Sequence, residues 1–139
     1  MASVGGQFQR EIDALEEVFA LLDAFVASQT LDEKTSFTLR VVVEELFTNL
    51  VRHNVGGGES IDLSIERVED RVLLELVDSE VEPFDPESAE VPRVDADIAE
   101  RRPGGLGIYL VKKMVDELRY DYDTEERRMR VSAAMTLES

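Results

Sequence analysis

Apolar residues recur at helical spacing in two successive stretches of the first third of the chain. From Phe8 to about Ser28 they fall at steps of three and four residues, which predicts an amphipathic helix. A second stretch with the same spacing predicts a helix that runs to about His53, with Thr30 to Glu33 as its N-cap region. The glycine run at 56–58 ends this second helix.

Strict alternation of apolar and polar residues predicts strands in the second half of the chain. Two such segments, Ile61 to Ile65 and Val72 to Leu76, are separated by a turn near Glu69-Asp70. Two further strands are predicted at Arg119 to Tyr122 and at Met129 to Leu137. The pattern gives a clear strand prediction for these four segments.

A third helix is predicted after Gly107, where the apolar spacing continues to Leu118. Ser3 to Phe8 is only a weak candidate for a further strand. The predicted order is helix, helix, strand, strand, loop, helix, strand, strand. That order indicates an α+β fold, a two-layer sandwich with helices on one face of a mixed, mostly antiparallel sheet. A length of 139 residues fits a single domain over residues 1–139.

Between the second strand and the third helix the chain changes character. All four prolines of the sequence lie between Pro83 and Pro103, among many acidic residues. Long loops inside compact domains are often lids or binding loops. We therefore predict a lid loop over about residues 83–103.

Composition narrows the classes of partner and site. The formal charge is -16, which disfavours nucleic acid and anionic membranes, because both are bound largely through phosphate neutralisation. The charge is compatible with a basic protein partner, and it would equally serve solubility alone. The absence of cysteine excludes disulfides, thiol catalysis and zinc-cysteine sites. No signal peptide and no membrane-spanning apolar run is present, so the expected location is the cytoplasm.

The second predicted helix carries a polar stripe within an apolar sequence. Glu45, Asn49 and His53 are spaced four residues apart and so share one face of the helix. An amide oxygen suits Mg²⁺, and a nearby carboxylate can deprotonate a hydroxyl or water. The alternative is a solvated face of an amphipathic helix. His53, near the end of the helix, is predicted to be structural.

Two further features suit a phosphorylated ligand. Gly104, Gly105, Leu106 and Gly107 lead directly into the third helix, where backbone N–H groups and the helix dipole favour an anion. An ordinary loop-to-helix junction is the alternative, and the sequence matches neither the P-loop nor the dinucleotide fingerprint. Asp78, at the end of an apolar strand, would accept a hydrogen bond from an adenine amino group or serve as a turn residue.

These features, in this order and spacing, resemble the motifs of one superfamily. The segment from Glu45 to His53 looks like the N box of the GHKL ATPase/kinase superfamily, and Val77 to Pro86 resembles its first glycine box. Gly104 to Leu118 closely resembles the second glycine box. Within the superfamily the chain is similar to the anti-sigma-factor serine/threonine kinases of bacterial partner-switching systems. The resemblance implies a Bergerat-type ATP-binding fold.

The resemblance also implies roles for individual residues. Asn49 would coordinate Mg²⁺, Glu45 would be the catalytic base, and Asp78 would bind the adenine of ATP. The turn from Gly104 to Gly107 would approach the phosphates. The phosphoryl acceptor would be a serine or threonine on an anti-sigma-factor antagonist, and a sigma factor is the other implied partner. Members of this branch commonly form homodimers.

One departure from the family pattern leaves a second function open. The first glycine box usually reads Asp-x-Gly, whereas here Glu80 follows Asp78 and Ser79. Like charges about 4 Å apart repel by about 1–4 kcal/mol, depending on the effective dielectric, which is enough to weaken ATP binding about tenfold or more. The alternative to a kinase is therefore a non-catalytic binding module that sequesters a regulator. A third alternative is the catalytic domain of a sensor histidine kinase.

Overall fold

The structure is a computed structural model that describes residues 2–53, 60–79 and 105–137. Within these ranges the chain forms five strands, three α-helices and one turn of 3₁₀-helix. In chain order they are β1 (Ala2–Gln9), the 3₁₀ turn (Ile12–Ala14), α1 (Leu15–Gln29), α2 (Glu33–His53), β2 (Ser60–Val68), β3 (Arg71–Asp78), α3 (Gly105–Met114), β4 (Glu117–Asp123) and β5 (Arg128–Thr136).

The five strands form one sheet in the order β1-β2-β3-β5-β4, and each described pairing is antiparallel. One row of residues shows the register: Val4 lies opposite Ile65, and Ile65 lies opposite Leu74. Leu74 in turn lies opposite Ala133 of β5. Because side chains alternate across a strand, this row and its equivalents point to one face of the sheet, as the sequence alternation predicts.

The helices cover that face of the sheet. α1 buries Val18, Leu22 and Phe25, and α3 buries Ile108 and Val111. α2 contributes the largest share of the helical layer, with Leu39, Val42, Val43, Leu46, Phe47 and Leu50 all buried. These residues form one continuous core with the inward side chains of the sheet. The predicted two-layer α+β sandwich with helices on one face is thereby confirmed.

The predicted start of the first helix and the predicted end of the third helix are wrong. The first helix does not begin at Phe8, because Phe8 lies in β1, which extends from Ala2 to Gln9. Pairing with β2 along its whole length holds this strand, despite a pair of glycines that weakens its local strand signal. The third helix ends at Met114, although the apolar spacing continues beyond it. Asp116 explains this end, since its Oδ2 accepts hydrogen bonds from the backbone N–H and hydroxyl of Thr136, both at 2.7 Å.

Other predicted features are found where the pattern places them. Asp32 accepts a hydrogen bond from the Thr35 backbone N–H at 2.8 Å, which caps the start of α2. Glu69 adopts a φ of 56° in the turn between β2 and β3. The glycine run at 56–58 and the lid loop at 83–103 lie outside the described residues. No helix in the described part of the chain is long and apolar enough to cross a membrane.

Candidate functional site

Asn49 is the polar residue of α2 that most needs an explanation. The residue is 3% exposed, and its Oδ1 has no hydrogen-bond partner among the described residues. A buried acceptor without a partner costs free energy, so such groups are rare and usually face a ligand, an ion or a water molecule. The predicted alternative of a solvated helix face is therefore wrong for Asn49.

The Glu45 carboxylate lies one helical turn before Asn49, against the first turn of α3. A methyl group placed on Gly107 would overlap Oε2 of Glu45 and would also crowd its carboxyl carbon. The absence of a side chain at Gly107 thus leaves room for the Glu45 carboxylate. The structure brings together these two predicted site residues, which are 62 positions apart by their numbers.

The environment of Glu45 changes its acidity. Burial raises the pKa of Glu45 because it disfavours the charged form, and the charge of Glu44 raises it further. Arg52 opposes both effects by favouring the ionised carboxylate. A glutamate with a raised pKa is a better match for proton transfer near neutral pH than an ordinary one.

The predicted glycine turn is part of a helix. α3 begins at Gly105, so Gly105, Leu106 and Gly107 form its first turn, and Gly104 lies outside the described residues. The first turn of an α-helix has backbone N–H groups without intrahelical partners, and the helix dipole makes this end attractive to anions. The backbone N–H groups that would bind a phosphate are therefore those at the N-terminus of α3.

Asp78 ends β3 and is completely buried. Its carboxylate forms an ion pair with Arg10, whose Nη1 donates a hydrogen bond to Oδ2 at 2.8 Å while Nη2 contacts Oδ1. The same Nη1 also donates to the backbone carbonyl of Leu50 at 3.5 Å. Arg10 therefore connects the end of β3 to the turn of α2 that follows Asn49.

Arg10 is the site residue that sequence reasoning missed. It follows β1 directly, and the pattern indicates β1 itself only weakly. A recognisable signal would have been an arginine at the end of a strand that pairs beside the strand ending in Asp78. The side chain of His53, the predicted lid and Glu80 lie outside the part of the chain whose side chains are described.

The donor set near Asn49 fits a divalent cation that is held mainly by a ligand. Among residues 2–53, 60–79 and 105–137 no cluster of three or more histidine, aspartate or glutamate side chains is arranged to hold a metal ion. A single buried amide oxygen suits Mg²⁺, which usually keeps several waters and binds through few protein groups together with phosphate oxygens. Asn49 is thus the protein group that would hold such an ion.

We expect Gly107→Ala to disrupt the site, because its methyl group would overlap the Glu45 carboxylate. Because the carboxylate is the end of a flexible side chain that can rotate away, the variant should lose less stability than the about 1–3 kcal/mol usual for core overpacking, as measured by urea unfolding.

The matched control is the double variant Gly107→Ala/Glu45→Ala. Removing the Glu45 side chain also removes each of the three atoms that the new methyl group would approach. Gly107→Ala should therefore cost less stability in the Glu45→Ala background than in the wild type. Equal losses in the two backgrounds would contradict the close approach of Gly107 and Glu45.

Comparison with known proteins agrees with this geometry. A family model described as histidine kinase-like ATPase domain matches residues 8–135. Curated relatives include the serine-protein kinases RsbW of Listeria monocytogenes and Listeria innocua, each 30% identical over 91 residues. The matches cover 61% of this chain and 57% of each relative, so the chain spans little more than half the length of these proteins.

Two solved structures share the fold at low sequence identity. The RsbU and RsbW domains of a Mycobacterium tuberculosis protein superpose with a TM-score of 0.69 at 15% identity, over 99% of this chain and 33% of that one. The SiaB-SiaC complex from Pseudomonas aeruginosa gives a TM-score of 0.64 at 18% identity, over 96% of this chain and 89% of that one. Identities this low support the fold alone.

Proposed function

The chain belongs to the histidine kinase-like ATPase domain family, and we propose that it is an ATP-dependent serine/threonine protein kinase. The family match confirms the resemblance to the GHKL superfamily. The serine-protein kinase relatives support its anti-sigma-factor kinase branch. In this proposal the kinase phosphorylates a serine or threonine on an anti-sigma-factor antagonist.

The proposal rests on Oδ1 of Asn49, which is buried and has no hydrogen-bond partner within the described part of the chain. It lies one turn after Glu45, whose carboxylate lies against Gly107. A structural asparagine would satisfy its own oxygen within the fold. An asparagine oxygen without a partner in the described part of the chain, beside a carboxylate and a helix N-terminus, is suited to bind the Mg²⁺ of Mg-ATP. Bound Mg²⁺ would neutralise part of the charge on the phosphates.

Each residue of the site has a role in this proposal. Asn49 would hold Mg²⁺, and backbone N–H groups from Gly104 to Gly107 would bind phosphate oxygens. Asp78 would accept a hydrogen bond from the adenine amino group. Glu45 would accept the proton of the incoming hydroxyl, a task that suits its raised pKa. Phosphoryl transfer depends mainly on positioning and electrostatics, which these groups would provide.

The partners are also part of the proposal. The solved structure of SiaB contains SiaC, so a protein of this fold is known in a complex. For this chain we propose an anti-sigma-factor antagonist as phosphoryl acceptor, a sigma factor as a second partner, and a homodimer as the working form. The formal charge of -16 favours basic protein surfaces over nucleic acid. A kinase that uses cellular Mg-ATP and acts on a transcription regulator would work in the cytoplasm.

Two measurements test the proposal. Titration of the protein with Mg-ATP should show saturable binding that weakens when Mg²⁺ is chelated. Incubation with labelled ATP and a purified antagonist protein should transfer label to a serine or threonine of the antagonist. Binding without transfer to any antagonist would favour the second candidate, a regulatory binding module that does not catalyse.

The observation that favours this second candidate is Glu80, which stands where the family pattern has glycine. We expect Glu80→Gly to strengthen Mg-ATP binding about tenfold or more, because it removes a negative charge that the motif resemblance places near the phosphates. Isothermal titration of both proteins would measure the change. Glu125→Gly, in the exposed turn between β4 and β5, removes the same charge elsewhere and should leave the affinity unchanged. Equal affinities of Glu80→Gly and the wild type would show that Glu80 does not disturb ATP.

A further inference from the structure

We propose that Arg10 is a positioning residue that holds Asp78 as an ionised, oriented acceptor and thereby sets the preference of the site for adenine over 6-oxopurines. The inference rests on the proposed nucleotide-binding function and names a residue outside the three motifs. Arg10 directly follows β1, which lies two strands away from β3 on the side opposite β5.

The geometry of the pair supports a positioning role. Both terminal nitrogens of Arg10 face the carboxylate, one on each oxygen of Asp78. Such a fork fixes the plane of a carboxylate as well as its charge. The Asp78 side chain is 0% exposed and that of Arg10 is 10% exposed, so solvent does little to hold either charge in place. Each carboxylate oxygen has two lone pairs, so an oxygen that faces Arg10 can also accept from a second donor.

A competing interpretation is that Arg10 blocks the base and must leave before ATP binds. Removing one partner of a buried ion pair typically shifts an equilibrium by several hundredfold or more. A hydrogen bond from a neutral amino group to a carboxylate strengthens binding by only about tenfold to a hundredfold. The base would therefore bind beside Arg10 rather than in its place.

Purine selectivity follows from the protonation state of the acceptor. An ionised carboxylate can only accept, so it matches the 6-amino group of adenine and repels the 6-oxygen of hypoxanthine or guanine. A buried carboxyl without a cation beside it favours its neutral form, whose O–H can donate to such an oxygen. Loss of Arg10 should therefore reduce discrimination between the two kinds of purine.

The contact to Leu50 extends this role towards the metal end of the site. Arg10 donates to the carbonyl of the residue that follows Asn49, so one guanidinium contacts both α2 and β3. Burial lowers the pKa of Arg10, but arginine keeps its proton at any physiological pH. The positioning charge is thus permanent.

The test compares the binding of Mg-ATP and Mg-ITP, which carries an oxygen in place of the 6-amino group, to the wild type, Arg10→Met and Arg10→Lys. We expect the ratio of the two dissociation constants to fall about tenfold in Arg10→Met and to recover partly in Arg10→Lys. Arg40→Met is the matched control, because Arg40 forms an exposed ion pair with Asp23 and should leave the ratio unchanged. Equal weakening of both nucleotides by Arg10→Met, or tighter ATP binding, would overturn the inference.

A second measurement needs no nucleotide. A double-mutant cycle of Arg10→Met and Asp78→Asn, read by urea unfolding, should show coupling of at least about tenfold in the unfolding equilibrium. If Arg10→Met does not fold, Arg10→Lys takes its place in the cycle. An uncoupled cycle would overturn the positioning role. A wild type that binds no nucleotide would overturn the proposed function and the selectivity together, whereas unchanged selectivity with normal ATP binding would overturn the inference alone.

Discussion

Asn49→Ala is expected to weaken Mg-dependent ATP binding at least about a hundredfold without destabilising the protein. The affinity falls because a charge-assisted contact of about 3 kcal/mol would be lost, which corresponds to about two powers of ten. The stability should hold because Oδ1 has no partner among the described residues, so the substitution removes a buried group that the fold does not satisfy. Titration calorimetry with and without Mg²⁺ would measure the first effect, and urea unfolding the second.

The adjacent Thr48 provides a matched control. Thr48 is also a buried polar residue of α2, but its hydroxyl donates to the Glu44 carbonyl at 2.8 Å and is thereby satisfied within the helix. Thr48→Ala should leave Mg-ATP affinity near that of the wild type. If Asn49→Ala instead lowered stability and left the affinity unchanged, Asn49 would be a structural residue and its proposed role would be lost.

The sequence could predict the pair on α2 because its geometry is local. Residues four positions apart on a helix lie on the same face whatever the rest of the fold does. An amide and a carboxylate among Leu46, Phe47 and Leu50 therefore stand out in the apolar pattern by spacing alone. The same reasoning locates α2 and four of the five strands, whose alternation reflects a single buried face.

The parts that the sequence could not predict depend on contacts between distant segments. β1 is held by pairing with a strand about 60 residues later, and a pattern interrupted by two glycines does not show this. Arg10 depends in turn on β1, since its position at the end of that strand brings it to Asp78. The pattern alone also extends α3 too far. The hydrogen bonds that Asp116 accepts just after the end of this helix come from Thr136 of β5, which the local pattern does not show.

The contact between Gly107 and Glu45 could be predicted from the sequence only in part. The sequence places each residue in a motif, yet nothing local shows that one residue lacks a side chain to make room for the other. The structure therefore changes the reason for the glycine. In the motif it would permit a phosphate to approach the backbone, and in the fold it also leaves room for the carboxylate that is proposed to act as base.

Glu45→Gln is expected to retain Mg-ATP binding and to lose phosphoryl transfer by about 10²- to 10⁴-fold, the usual contribution of a general base. The amide has nearly the same shape as the carboxylate, so the packing against Gly107 should persist. Transfer of labelled phosphate to the antagonist at saturating Mg-ATP would measure the loss. Glu44→Gln is the matched control, because Glu44 is the exposed neighbour on the same helix and should leave transfer within a few-fold of the wild type.

The pH dependence of transfer offers an independent check on Glu45. Since burial raises the pKa of Glu45, the ionised base should be lost at a higher pH than for an ordinary glutamate as the solution is made more acidic. The wild-type rate should fall through that raised pKa, and the residual rate of Glu45→Gln should lack this acidic limb. An acidic limb of the same position in both proteins would assign it to another group and leave Glu45 without the role of base.

The stability of the same variant should move in the opposite direction from its activity. A carboxyl whose pKa is raised by folding stabilises the fold below its unfolded pKa, and this contribution is lost as the pH rises through the folded pKa. At neutral pH the ionised Glu45 therefore opposes folding, so Glu45→Gln should unfold at an equal or higher urea concentration, with the difference shrinking in acid. A variant that lost transfer and became less stable at neutral pH would indicate that its packing is disrupted. Loss of transfer with unchanged or higher stability would indicate that the carboxylate serves the reaction at a cost to the fold.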